Sequence, residues 1–309
     1  MKILIAYDGS EYSDAAIVDL RRAGLPHSAE AVVLAVAETS PEYADIPYGA
    51  MVAGPGMYSP AIAETEPAGG RLLQDAESLA EQAASRLRAD FPGWHVKTEA
   101  WIDAAAPAII RKAHGWLPDL IVVGSHGRMG LRRFVLGSVS HHIMEHAACS
   151  VRISRHRLHA QDRHIRVLIG VDGSDNSTAA VRAVAARNWP SGTQVRVVGA
   201  FDPRVRIAAA TTLEGTVPAA IETESKRCLS EAVHAAARDL AKAGLHAEPL
   251  SPEGNPADTL LAAAEDWGAD CIFLGARGIT GLDRIMLGSV SSAVAPRAHC
   301  SVEIVRPAV

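Results

Sequence analysis

The stretch Gly124-Ser125-His126-Gly127-Arg128-Met129-Gly130-Leu131 returns later in the chain as Gly275-Ala276-Arg277-Gly278-Ile279-Thr280-Gly281-Leu282. An apolar run precedes each copy, Leu120–Val123 and Cys271–Leu274, and Leu-Gly-Ser-Val-Ser follows each at the same distance, at 136–140 and 287–291. Cys149-Ser150-Val151 likewise returns as Cys300-Ser301-Val302, so residues 124–154 match 275–305 at 15 of 31 positions without a gap. Upstream, Asp8-Gly9-Ser10 returns as Asp172-Gly173-Ser174, with 13 fewer residues between it and the glycine loop. Similarity this long means one domain present twice. The polar, aperiodic stretch 155–164 reads as a linker, which places the domains at 1–154 and 165–309.

Within each copy, strand and helix patterns alternate. Lys2–Tyr7, Ala31–Ala37, Val96–Trp101, Leu120–Val123 and Ser150–Ser154 read as strands, and their counterparts fall near 165–171, 194–200, 246–250, 270–275 and 301–305. Several are continuous apolar runs, the pattern of parallel strands covered on both faces. Helical patterns lie at Glu11–Ala23, Arg71–Asp90, Ala105–His114 and about Leu136–Ala147, then near 175–187, 218–243, 256–266 and 287–298. Ser10, Ser174 or Asp175, and Asn255 before Pro256 supply cap chemistry at helix starts. This alternation predicts an α/β fold, two tandem doubly wound parallel sheets of about five strands each. Residues 38–70, rich in proline and glycine, read as a long loop, either a surface excursion or a lid over the strand ends.

Composition narrows the function. The chain has 309 residues, suited to two domains at roughly 150 residues each. Lys plus Arg number 30 against 35 for Asp plus Glu, which gives no basic field for nucleic acid. Four cysteines without a C-x-x-C pair exclude a disulfide scaffold and a cysteine-built zinc site. No apolar run approaches the ~20 residues of a membrane span, so the expected compartment is the reducing cytoplasm.

The glycine loop carries the chemistry. Ligands of open α/β sheets sit beyond the carboxyl ends of the strands, where Gly124 and Gly275 fall. A phosphate needs backbone N–H groups close by, and glycine both removes the obstructing Cβ and permits positive φ. Gly137-Ser138 and Gly288-Ser289 then open helices, whose free N–H groups and positive dipole end suit an anion. Ser138 and Ser140 offer further hydroxyl donors. Asp8 and Asp172, at strand ends, suit either ribose or adenine hydrogen bonds or a local Asx turn. Arg128, Arg132, Arg133, Arg277 and Arg284 are candidate counter-charges for a polyphosphate, or solvated surface groups.

G-x2-G-x9-G-[ST], with Asp-Gly-Ser after the first strand, resembles the ATP-binding class of the universal stress protein family in its tandem two-domain form. The resemblance implies strand order 3-2-1-4-5 and a nucleotide between the first and fourth strands. It carries nucleotide contacts onto Ala6, Asp8, Val36, Val123, Gly124, Gly127, Gly137, Ser138, Val139 and Ser140. In the second copy the matches are Gly170, Asp172, Ala200, Leu274, Gly275, Gly278, Gly288, Ser289, Val290 and Ser291. The cofactor it implies is ATP or another adenine nucleotide, with Mg²⁺ bridging phosphates. It also implies that the last strand of each copy pairs across a two-fold axis, here within one chain as a pseudo-dimer. A further homodimer and an unidentified regulatory protein partner are compatible with that arrangement.

Rival constellations are weaker. No G-x4-G-K-[ST] or dinucleotide G-x-G-x-x-G occurs, nor do S-G-G-x-D-S or H-I-G-H. These absences favour a binding module with at most weak hydrolysis over a slow ATPase, a nucleotide-transferring enzyme or a flavin carrier. His141, His142 and His146 have Ser292, Ala293 and Arg297 as counterparts, so a metal role is disfavoured. His126, opposite Arg277, reads as phosphate-proximal or solvated rather than as a general base. Cys149 and Cys300 read as small buried hydrophobes.

Overall fold

Lys2–Ala6 (β1) has nothing but apolar side chains at its centre, and it pairs in parallel with Ala29–Ala37 (β2) and Leu120–Gly124 (β4). Trp94–Ile102 (β3) lies outside β2, and Ser150–Ser154 (β5) outside β4. Arg166–Gly170 (β6), Gln194–Val198 (β7), His246–Leu250 (β8), Cys271–Gly275 (β9) and Ser301–Val305 (β10) repeat this order, all parallel. Each copy therefore has the order 3-2-1-4-5. The computed structural model describes residues 1–38, 67–127, 136–155, 164–202, 219–277 and 287–307.

The two half-sheets meet at β5 and β10, which pair antiparallel. The rungs are Ile153 with Val302, Arg152 with Glu303 and Val151 with Ile304. One sheet of ten strands results, in the order β3-β2-β1-β4-β5-β10-β9-β6-β7-β8. Equivalent residues face each other in reverse order around Arg152 and Glu303, so the pseudo-two-fold axis passes through that pair.

Helices cover both faces. Glu11–Asp19 (α1), Pro67–Asp90 (α2), Asp175–Ala185 (α5) and Ala219–Lys242 (α6) pack on one. Ala105–Trp116 (α3), Ser138–His146 (α4), Pro256–Trp267 (α7) and Ser289–Arg297 (α8) pack on the other. Ser10 and Ser174 cap α1 and α5 by accepting from Ser13 N–H and Ser177 N–H. Asn255 caps α7, whose first residue is Pro256, as its sequence predicts.

The two faces differ. Under α3, α4, α7 and α8 a single core runs through both copies, from Leu4, Val32 and Ile121 through Val151 and Ile153 to Val302, Ile304 and Ile272. Under α1, α2, α5 and α6 there are two cores, one per copy. The alternating strand pattern turns Arg152 and Glu303 toward this second face, into the seam between the two cores. Both are buried.

Several boundaries depart from the sequence reading. The first helix is α-helical only to Asp19 and ends as a 3₁₀ turn, Leu20–Arg22. The fourth helix of each copy starts at its serine, because Gly137 and Gly288 are extended N-caps outside it. Residues 67–70, expected in the long loop, begin α2, with Pro67 where its missing N–H costs nothing. The rest of that loop, 39–66, and most of the linker lie outside the described residues.

Candidate functional site

Two turns meet at the carboxyl end of each half-sheet. After β1, Gly9 at φ +76° lets the chain reverse into α1, and after β6 Gly173 at φ +85° does the same. Asp8 Oδ1 accepts from Ser10 N–H at 3.0 Å and from Ser10 Oγ–H at 2.6 Å. Asp172 holds Ser174 with the same two distances. The carboxylates thus take the Asx-turn role, and one oxygen of each fixes the helix start.

After β4 the chain runs Ser125-His126-Gly127. Gly124 is glycine because a Cβ there would sit 2.9 Å from the Tyr12 carbonyl oxygen in the first turn of α1. At Gly275 the Asn176 carbonyl oxygen would be 2.7 Å away. These two residues let helix and strand approach. None of Gly124, Gly127, Gly137, Gly170, Gly275 or Gly288 has positive φ, so that expectation is corrected: the loop glycines serve close approach.

Gly127 differs. Among the described residues, a Cβ there would meet only Asp8 Oδ2, at 3.1 Å. The missing side chain therefore lets the β4 loop lie close against the Asp8 carboxylate of the β1 turn. Gly278, its counterpart, is outside the described residues, as are Arg128, Arg132, Arg133 and Arg284.

The start of α4 closes the third side. Gly137 N–H donates to Ser125 C=O at 2.8 Å, and Gly288 N–H to Ala276 C=O at 2.7 Å. The N-cap of each helix is a glycine, so the cap residue itself brings no side-chain oxygen to the positive end of the dipole. Ser140, expected to donate to a ligand, instead donates from its buried hydroxyl to Gly124 C=O at 2.6 Å. Ser291 does the same to Gly275 C=O at 2.7 Å. A serine one turn into the helix thus clamps the strand end. Ser138 and Ser289 are exposed beside it, and Val139 and Val290 pack into the joint core.

Of the remaining contacts, Ala6 and Gly170 end β1 and β6, and Val123 and Leu274 lie buried near the ends of β4 and β9. Val36 and Ala200 are half-buried, beyond the rungs that join the first and second strands of each copy. The topology therefore brings all the described candidates to the same end of their own half-sheet.

The copies differ in one lining pair. His126 is buried, not solvated, and lies against Tyr12 with ring centroids 4.9 Å apart. Its Nδ1 is 3.2 Å from Ser125 Oγ, while Nε2 has no hydrogen-bond partner. In copy 2 the same places hold Arg277 and Asn176. Sequence reading missed this pairing, whose only signal was two joint departures from the repeat.

Other candidates stay outside this group. His142 and His146 stack on each other at 4.1 Å, but among the described residues no group of three or more potential metal ligands occurs. Burial pushes the Cys149 thiol up to about 11, and Cys300 lies in the joint core, as expected of small hydrophobes. Among the described residues no helix is long and apolar enough to cross a membrane.

Fold and turns together define a duplicated, doubly wound α/β protein whose candidate residues gather at the strand ends of each copy. The model of the Universal stress protein family matches residues 1–155 and 165–306, and the chain belongs to that family. A universal stress protein of Bacillus subtilis is 32% identical over 149 residues, covering 46% of this chain and 98% of that relative. One of Mycolicibacterium smegmatis is 26% identical over 310 residues, covering 99% and 97%. The crystal structure of a universal stress protein from Archaeoglobus fulgidus superimposes with a TM-score of 0.63 at 19% identity, over 99% of this chain and 96% of that one.

Proposed function

We propose that the protein is an adenine-nucleotide-binding module, with one site in each of the units 1–154 and 165–309 and ATP as the preferred ligand. The observation that carries this reading is the pairing of Asp8 Oδ2 with the bare face of Gly127, 3.1 Å from where a Cβ would stand. That gap has a carboxylate for ribose or base on one side and an uncapped helix N-terminus for phosphate on the other. Gly127, Ser138 and Val139 would supply N–H groups to phosphate oxygens, with Gly278, Ser289 and Val290 in copy 2, while Gly137 and Gly288, whose N–H groups already hold loop carbonyls, would offer only a bare Cα face. Ser140 and Ser291 hold the cradle in shape. Mg²⁺ would ride on the phosphates and keep most of its waters, since no cluster of three or more potential ligands occurs among the described residues.

Binding rather than turnover fits the chain, which carries no Walker lysine. We place it in the cytoplasm, passing nucleotide state to a protein partner. Mass spectrometry of ligand co-purified without added nucleotide tests this. Adenine nucleotide at one or two per chain, with turnover below ~0.01 per second, is the expected outcome. A folded Gly127→Val, Gly278→Val double variant with undiminished ATP affinity would overturn it.

A further inference from the structure

The seam between the two separate cores holds a cluster of four charges, two from each copy, the inner two buried and the outer two partly buried. Arg152 donates from Nε and Nη2 to the two oxygens of Asp19, at 2.7 and 3.1 Å. Its Nη1 crosses the seam to Glu303 Oε2 at 3.2 Å and to Cys271 Sγ at 3.2 Å. Arg187 closes the group by donating to the other oxygen of Glu303 and, from Nη1, to Ala23 C=O of copy 1 at 2.6 Å. Arg152 is 0% exposed and Glu303 1%.

None of this is repeated in the sequence. The counterpart of Arg152 is Glu303, that of Asp19 is Ala183, that of Arg187 is Ala23, and that of Cys271 is Leu120. Because the pseudo-axis passes through the Arg152–Glu303 rung, the residue at this position meets its own equivalent in any two-fold pairing of the final strands. A copy-1 pair would set Arg152 against Arg152, with Leu120 replacing the sulfur. A copy-2 pair would set Glu303 against Glu303. Like charges directly across an antiparallel rung are destabilising, and burial removes the water that would screen them. Every pairing is neutral in sum, since Arg152 keeps Asp19 and Glu303 keeps Arg187, but only the unlike pair places opposite charges across the axial rung.

We infer that this cluster makes the final strand of each copy selective for the unlike copy, so that the partner each half accepts is the other half of this chain and never its own kind. A copy-1 strand exposed by opening of the seam would accept copy 2 of the same or a second chain, and would reject another copy 1. The shared frame of the seam, in which Arg155 N–H donates to Ser301 Oγ and Arg306 N–H to Ser150 Oγ, each at 3.1 Å, is symmetric and cannot discriminate. Off the axis, Arg22 Nη2 of copy 1 also donates to the buried Asp270 Oδ2 of copy 2 at 3.1 Å, with Ala186 and Asp119 as counterparts, so it adds to the discrimination that the Arg152–Glu303 rung makes on the axis.

Two measurements on the full chain test this. A protease site placed within 156–163 allows the folded protein to be nicked, unfolded in urea and refolded, and native mass spectrometry then counts the pairs. At least tenfold more unlike pairs than either like pair is expected; a statistical 1:2:1 mixture would overturn the inference. In the uncut chain, Glu303→Arg should lower the urea midpoint more than Glu303→Met, because only the former puts like charges on the axis. Adding Arg152→Met to Glu303→Arg should recover at least tenfold in the folding constant, since Asp19 then faces one arginine. Equal midpoints for Glu303→Arg and Glu303→Met, or no recovery, would also overturn it. The second measurement stands if the nicked halves fail to refold.

Discussion

Arg155 and Arg306, equivalent residues just past β5 and β10, each reach into the other copy and bind the last turn of its final helix. Arg155 Nη2 donates to Pro296 C=O at 2.9 Å, and Arg306 Nη2 donates to Met144 C=O at 2.7 Å. Each guanidinium thus meets the negative end of a helix dipole, the favourable place for a cation. The two cross-copy contacts frame the seam whose centre holds Arg152 and Glu303.

Arg306→Ala should cost about 1.5–3 kcal/mol, the usual loss for a partly buried hydrogen bond to a charged group. Equilibrium urea unfolding measures it. Arg155→Ala should act in the same direction by less, because burial already disfavours its charge, which is lowered to about 10, and its Nη1 has no hydrogen-bond partner.

The glycines of one loop should separate by role. Gly124→Ala forces a Cβ against the α1 backbone and should cost about 1–3 kcal/mol in thermal unfolding. Among the described residues Gly127→Ala meets only Asp8 Oδ2, and it should change stability by less than ~1 kcal/mol while weakening nucleotide binding in calorimetry.

Asp8→Asn keeps a side-chain oxygen for Ser10 and so keeps the Asx turn. The expected result is an almost unchanged melting temperature with weaker ATP binding. Asp8→Ala should lose both, with a stability cost of roughly 0.5–2 kcal/mol.

Ser140→Ala leaves the Gly124 carbonyl short of a buried donor and should cost about 1–3 kcal/mol. Ser291→Ala should do the same in copy 2. Threonine at either place retains the hydroxyl, and its stability should fall between serine and alanine.

Cys149 gives a pH signature. Burial raises its folded pKa from 9.0 to about 11, so the folded state holds a proton that the unfolded chain releases first. Its contribution is complete below pH 9 and is lost as pH rises from 9 to 11. Urea titrations at pH 8 and pH 11 should therefore show wild type losing more stability than Cys149→Ala, by up to roughly 2–3 kcal/mol.

Much of this was legible in the chain. The repeat, the helix caps, the strand order implied by the family resemblance and the pairing of the last strands all appear in the structure. What could not be read is where one backbone approaches another. Gly124 looks like a phosphate glycine in sequence, yet its neighbour is a carbonyl more than a hundred residues away. Ser140 likewise looks like a ligand donor until its acceptor is known. The charged seam did leave a trace: Ser150-Val-Arg-Ile-Ser154 and Ser301-Val-Glu-Ile-Val305 carry opposite charges at the centre of otherwise buried strands. That signal is weak, because a lone charge in a short strand equally suits an exposed edge.

The antiparallel rung between β5 and β10 has a mechanical corollary. Strands of copy 1 point their carboxyl ends one way and those of copy 2 the other, so the two candidate sites lie at opposite poles of the molecule. Two nucleotides bound as proposed would therefore lie at opposite ends of the sheet, out of reach of one another.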